Sequence, residues 1–299
     1  MALAGCEKPP SATAQEPATA LDLPANRSRK AAIRIRFDNG RFEVGGATVR
    51  DDRLAISAVF SDIDRRDEEL LDGLVGESTP VAHDIDMESC VRQSAAGPAI
   101  TPPALTRPHA WVQLLDVGNL ALTAGTEKLP LRVQLVPAVV EATRGVRYDA
   151  SVDQGRRFLA AGQLELRGTG GDGVPAFTAQ IAVPRPVRIT HIGAVSPQGG
   201  QARGLGRDEP LRLRWGSVDG AAELEVRVGT EEPGELGWLR CRLRDDGEFT
   251  VPSALTDQLP QRADHRPWVV LLVRQRTVAL AGFANSWMLL QLVDGVHVY

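Results

Sequence analysis

Leu211-Arg212-Leu213-Arg214-Trp215, followed closely by Ala222-Glu223-Leu224-Glu225-Val226-Arg227-Val228, decides the fold. Apolar and charged residues alternate strictly in both runs. A period of two sends alternate side chains to opposite sides of an extended chain, so each run reads as an antiparallel strand with one buried face. Toward the carboxy terminus the pattern continues at 239–243, 248–251, 268–273, 278–283 and 287–298. Asp245-Asp246-Gly247 reads as a hairpin turn between two of these strands. Six or seven strands in so short a span predict a β-sandwich over 187–299.

The same alternation appears upstream. Ile33, Ile35 and Phe37 alternate with Arg34 and Arg36, and Asp38-Asn39-Gly40 leads to Phe42 and Val44, which predicts a hairpin over 31–49. Further strands are expected at 54–60, 111–117, 120–123, 129–136, 158–167, 176–183 and 187–192. One short helix is expected near 63–75, where Ile63, Leu70, Leu71, Leu74 and Val75 share a face and Gly76 stands at the C-cap. Residues 77–110 carry Pro80, Pro102, Pro103 and Pro108 and read as a long connection, whose length itself signals an unread element. Pro184-Arg185-Pro186 interrupts the pattern and sets a domain boundary near 187. The predicted fold class is all-β: a disordered N-terminal tether over 7–30, a β-rich sandwich domain over 31–186 with one short helix, and a second sandwich over 187–299.

Composition bounds the function. The chain has 299 residues, 43% of them hydrophobic, which suffices for two buried cores. With 34 basic and 38 acidic residues the net charge is −4, which removes the attraction that nonspecific nucleic-acid binding needs, so no nucleic-acid partner is expected. No apolar run reaches the length of a membrane-spanning helix.

The amino terminus reads Met1-Ala2-Leu3-Ala4-Gly5-Cys6, and Glu7 to Asn26 is rich in Pro, Ala, Ser and Thr without apolar periodicity. Leu3-Ala4-Gly5-Cys6 resembles the motif preceding the lipidated cysteine of bacterial lipoproteins, so 1–6 reads as the end of a truncated signal with its lipobox. The segment from Leu211 to Val228 is similar to the early strands of fibronectin type III and immunoglobulin-like domains, with Trp215 as their buried strand tryptophan. Together these features resemble uncharacterised envelope lipoproteins of Gram-negative bacteria. That resemblance implies lipidation of Cys6, an outer-membrane location, and a membrane partner reached through the lipid anchor, with other envelope proteins or glycans as further partners. It carries no catalytic residue across.

With Cys6 lipidated, Cys90 and Cys241 remain: either they form one disulfide tying the two halves together, or they are two separate buried thiols. Five scattered histidines show no ligand spacing, and the densest acidic group, His83-Asp84-Ile85-Asp86-Met87-Glu88, lacks the EF-hand pattern, so no metal and no cofactor are expected. The glycines of Gly168-Thr169-Gly170-Gly171-Asp172-Gly173 lead into an alternating strand without a following lysine and read as a hairpin tip. Ser217 follows Gly216 in an apparent turn, outside any nucleophile elbow. No catalytic residue is assigned. Of the five tryptophans, Trp238 beside Gly237 is the one expected at the surface as a ligand contact. The leading expectation is a non-catalytic structural or interaction module of the cell envelope. A carbohydrate- or peptidoglycan-binding protein is the alternative, and a secreted hydrolase with a dispersed site follows.

Overall fold

The computed structural model describes residues 27–39, 42–44, 47–49, 52–64, 85–93, 112–136, 143–171, 173–203, 210–216, 218–220, 222–230, 238–259 and 267–299. The proposed lipobox and residues 7–26 of the tether lie outside them, as does Ser217. The fold is mostly β, built on one long sheet that runs through both halves of the chain.

The first half supplies β1 (Arg27–Asn39), β2 (Phe42–Val44), β3 (Ala47–Val49), β4 (Arg53–Asp64), β5 (Ser89–Gln93), β6 (Val112–Leu114), β7 (Leu120–Ala124) and β8 (Glu127–Pro130). It continues with β9 (Arg132–Val136), β10 (Thr143–Asp153), a helical turn α1 (Arg156–Leu159), β11 (Gln163–Gly168) and β12 (Phe177–Ala182). The second half contributes β13 (Arg188–Ile192), β14 (Gln201–Ala202), β15 (Arg212–Gly216), β16 (Glu223–Thr230), β17 (Trp238–Leu243) and β18 (Glu248–Thr250). After the helical turn α2 (Ser253–Thr256) come the long strands β19 (Trp268–Ala279) and β20 (Trp287–Val298).

The main sheet is ordered β5-β17-β16-β19-β20-β1-β4-β6-β10-β9, with β14 paired to β20 as its eleventh strand. Its centre joins the two ends of the chain. β20 runs parallel to β1 from Ala32↔Trp287 to Asn39↔Asp294, and antiparallel to β19 along its whole length. On the inner face, a sheet ordered β12-β11-β7-β8 covers the first half and a sheet ordered β13-β15-β18 covers the second. The first core gathers Ile33, Ile35, Phe37, Leu54, Phe60, Leu122, Tyr148, Leu164 and Leu166, and takes Leu290 and Leu292 from β20. The second gathers Leu213, Trp215, Val226, Leu239, Val270 and Leu272, and takes Val296 and Val298 from the same strand. One strand therefore feeds both cores.

Several expectations are corrected. The hairpin over 31–49 does not form as read: β1 pairs with β4, Asp38 opposite Arg53, and β2 and β3 pair only with each other inside that connection. Leu54, Ile56, Ala58 and Phe60 give β1 four inward partners, which the three-residue β2 cannot match. Arg27 to Lys30, placed in the tether, belong to β1. Ile63, expected to open a helix, is a fully buried residue of β4, and 65–75 lie outside the described residues. The strand expected over 158–167 begins as α1, and the one over 278–283 is the end of β19 followed by a turn. Asp245-Asp246-Gly247 carries the chain between two sheets instead of closing a hairpin, since β17 pairs with β16 and β18 with β15. The long connection over 77–110 contains β5, and β10 was not anticipated.

Candidate functional site

Where the facing layer changes from β12 to β13, the inner face of the main sheet turns polar. Between Leu272 of the second core and Val278 of the first, β19 presents Arg274 and Arg276; between Leu292 and Val296, β20 presents Asp294. Arg274 has no exposed surface and would cost several kcal/mol to bury unpaired. It is paired instead: Nη2 donates to Asp245 Oδ1 at 2.9 Å, and Nη1 donates to the carbonyl of Arg185. Asp245 also accepts from Trp215 Nε1 at 2.8 Å and from the Asp219 amide at 2.7 Å, and Asp219 Oδ2 accepts from the Arg185 amide. These contacts fix the crossover segment to the sheet.

At the other end of this belt the main sheet has a notch. β1 ends at Asn39 opposite Asp294, and β14 takes up the same edge of β20 only at His297. The resulting cavity of about 260 Å³ is lined by Asn39, Arg156, Arg188, Asp294 and the Gly199-Gly200 turn, among others. Both glycines have positive φ, +57° and +78°, which lets the chain reverse between Gln198 and Gln201. Arg156 Nη2 donates to Asn39 Oδ1 at 2.9 Å, and Asn39 Nδ2 donates to the Val187 carbonyl. Asp294, 6% exposed, accepts from the Ile189 amide at 2.6 Å. Arg188 is exposed, and its side chain makes no hydrogen bond or ion pair with any described residue. The lining thus offers a surplus of donors. No sequence motif marks the notch, because its parts come from five distant segments.

The residues singled out from sequence are scattered. Cys6 lies outside the described residues. Cys90 and Cys241 sit opposite one another on β5 and β17 with their Cα atoms 4.0 Å apart and are joined by a disulfide. Trp238 is half-buried: its ring lies against Gly229 of the neighbouring strand, where a Cβ would come within 2.7 Å of it, and it packs on Val269, Leu271 and Val273. It is therefore part of the outer face of the sheet, not a freely presented indole. Trp215 and Trp268 are buried. His83 and Asp84 lie outside the described residues, while Glu88 Oε1 accepts from the Arg244 amide. Among the described residues no three His, Cys, Asp or Glu side chains converge as metal ligands, and no helix is long and apolar enough to cross a membrane.

Among the described residues, four carboxylates are held below the usual range: Glu165 chiefly by Gln180, Glu248 chiefly by Arg212, and Glu225 and Asp116 within the fold. Burial would raise the pKa of Glu225, but the Arg227 and Arg240 guanidiniums outweigh it and bring it below the usual range. Asp116 is lowered first by the Tyr148 hydroxyl, which donates at 2.6 Å, and then by the Gly118 amide. The Glu225 pairing ties β16 to β17, and the Asp116 pairing ties the loop after β6 to β10. No family model and no curated protein matches the chain.

Proposed function

We propose that the protein is a non-catalytic interaction module of the bacterial envelope, moored by acyl chains on Cys6 and held off the membrane by the Pro/Ala-rich segment that follows. The observation that carries this reading is the Cys90–Cys241 disulfide, since such bonds persist in exported proteins and are rare in reducing cytosol. The Leu3-Ala4-Gly5-Cys6 motif supplies the means of attachment.

The finer architecture belongs to the same proposal. The strands β13 to β20, leaving out the short β14, divide as first, second and fifth in one sheet and fourth, third, sixth and seventh, in that order, in the other. That division supports a sandwich of the fibronectin type III kind, with the fourth strand beside the third where the constant immunoglobulin domain has it in the opposite sheet. Glycan binding through exposed tryptophans gains no support from Trp238, whose ring is engaged by Gly229.

Detergent phase partitioning of the native full-length protein tests the reading. Wild type is expected in the detergent phase and Cys6→Ser in the aqueous phase. Identical partitioning of the two would refute the anchor.

A further inference from the structure

We infer that the notch beside β20 is a binding site for a small ligand carrying a carboxylate or phosphate group, read through Arg188, Arg156 and the Gly199-Gly200 turn. Three observations converge on this chemistry, and none depends on the lipid anchor.

The first is the state of Arg188. Its five N–H donors have no described partner, whereas Arg27, Arg36, Arg227, Arg240 and Arg274 are each paired with a carboxylate. A planar guanidinium left open at the rim of a cavity matches the two oxygens of a carboxylate or phosphate in a bidentate contact. The second is the turn. Neither the Gly199 nor the Gly200 amide donates to a described residue, and the absence of side chains there leaves two backbone donors accessible to a ligand. The third is the balance of the lining. Asn39 Oδ1 is taken by Arg156 and Asp294 Oδ2 by Ile189, so these acceptors are engaged while the Arg188 guanidinium and the two glycine amides are not. Arg156 already serves Asn39 and stands 3.9 Å from Asp52 through its Nε, and the one carboxylate of the lining, Asp294, is itself buried and turned to a backbone amide, so Arg188 is the cation left open. A volume of about 260 Å³ admits an anionic group with a short substituent, not a polymer. The anion would bridge Arg188 on β13, Arg156 at α1 and the turn before β14, three segments from both sides of the crossover.

The test is NMR titration of the full chain at about 0.15 M salt, where long-range attraction is screened, with inorganic phosphate in one arm and acetate in the other. Saturable shifts at the Gly199 and Gly200 amides are expected. The tighter arm assigns the group as phosphoryl or carboxyl. Arg188→Ala is expected to weaken binding by about tenfold or more, the scale of one charge-assisted pair. Gly199→Asp is expected to abolish it by holding a competing carboxylate at the rim; nothing lies within 4 Å of a Cβ there, and Asp tolerates the backbone conformation. Arg132→Ala on the far edge strand β9 is expected to leave binding unchanged. The inference is overturned if neither anion shifts the two glycines, or if Arg188→Ala binds as wild type, or if Arg132→Ala weakens binding as much as Arg188→Ala does.

Discussion

The first core and the polar belt beside it are held by opposite physics on the same two strands. In the core, Phe60, Tyr148, Phe177 and Phe283 meet at centroid distances of 5.4 to 6.1 Å, with Leu290 and Leu292 of β20 packed into the same cluster. A few residues along β19, Arg274 meets Asp245 from the segment between β17 and β18, and both side chains are just as buried, but every contact there is directional. Apolar packing is tolerant of exchange and scales with area. A buried ion pair gives little net stability, yet it is costly to half-remove and it specifies one arrangement. The comparison assigns the cores to stability and the belt to fixing how the crossover sits on the sheet, and hence to shaping the notch.

The sharpest way to break this contrast is Asp245→Ala. It strands the Arg274 guanidinium without solvent and removes the acceptor of Trp215, so a loss of about 4 kcal/mol is expected by urea denaturation. A loss near zero would mean that the belt is hydrated. Leu290→Ala, in the first core, is expected to cost about 3 kcal/mol through lost burial and a residual cavity. The pair Arg274→Met with Asp245→Leu is expected to cost only about 2 kcal/mol, less than Asp245→Ala alone, because no charge is left unpaired while Trp215 Nε1 and the Asp219 amide still lose an acceptor. Additive losses in the double variant would remove the ionic explanation.

The smallest effect is expected at the margin of the first core. Tyr148 is fully buried, and its hydroxyl donates to Asp116 and accepts from the Val117 amide, so Tyr148→Phe is expected to cost about 1 kcal/mol. It also has a pH signature. Because the folded state lowers the pKa of Asp116, that contribution is present above the ordinary carboxylate range and is lost as pH falls through the depressed value. Tyr148→Phe should therefore narrow its gap to wild type in acid melts. A gap that widens on acidification contradicts the assignment.

How much of this was legible in the sequence follows from which signals are local. The alternation of Ile33, Ile35 and Phe37 with Arg34 and Arg36, and of 211–215 and 222–228, reports directly on a one-sided strand and located β1, β15 and β16. β10 was missed even though Val146, Tyr148 and Ala150 alternate inward with Arg147, Asp149 and Ser151, because Gly145 and the small Ala150 leave only two bulky apolar positions at its middle. Pairing partners were less legible still. Nothing near Ala32 announces that it lies beside Trp287, and the partition of β19 and β20 between two cores follows only from the facing sheets. The notch and the belt were unreadable for the same reason. Arg188 reads as one surface arginine among many, and Arg274 as the polar interruption of an apolar strand. Of the residues singled out, Cys90 and Cys241 are brought together, and their pairing needed the register of β5 on β17.

The functional claim joins a lipid-modified beginning to a body cross-linked in an oxidising compartment. Mass spectrometry of the non-reduced protein recovered from its own cells examines both at once. The account predicts a mature chain starting at acylated Cys6 together with a peptide pair linked through Cys90 and Cys241. An unmodified Cys6 thiol alongside free Cys90 and Cys241 would contradict it.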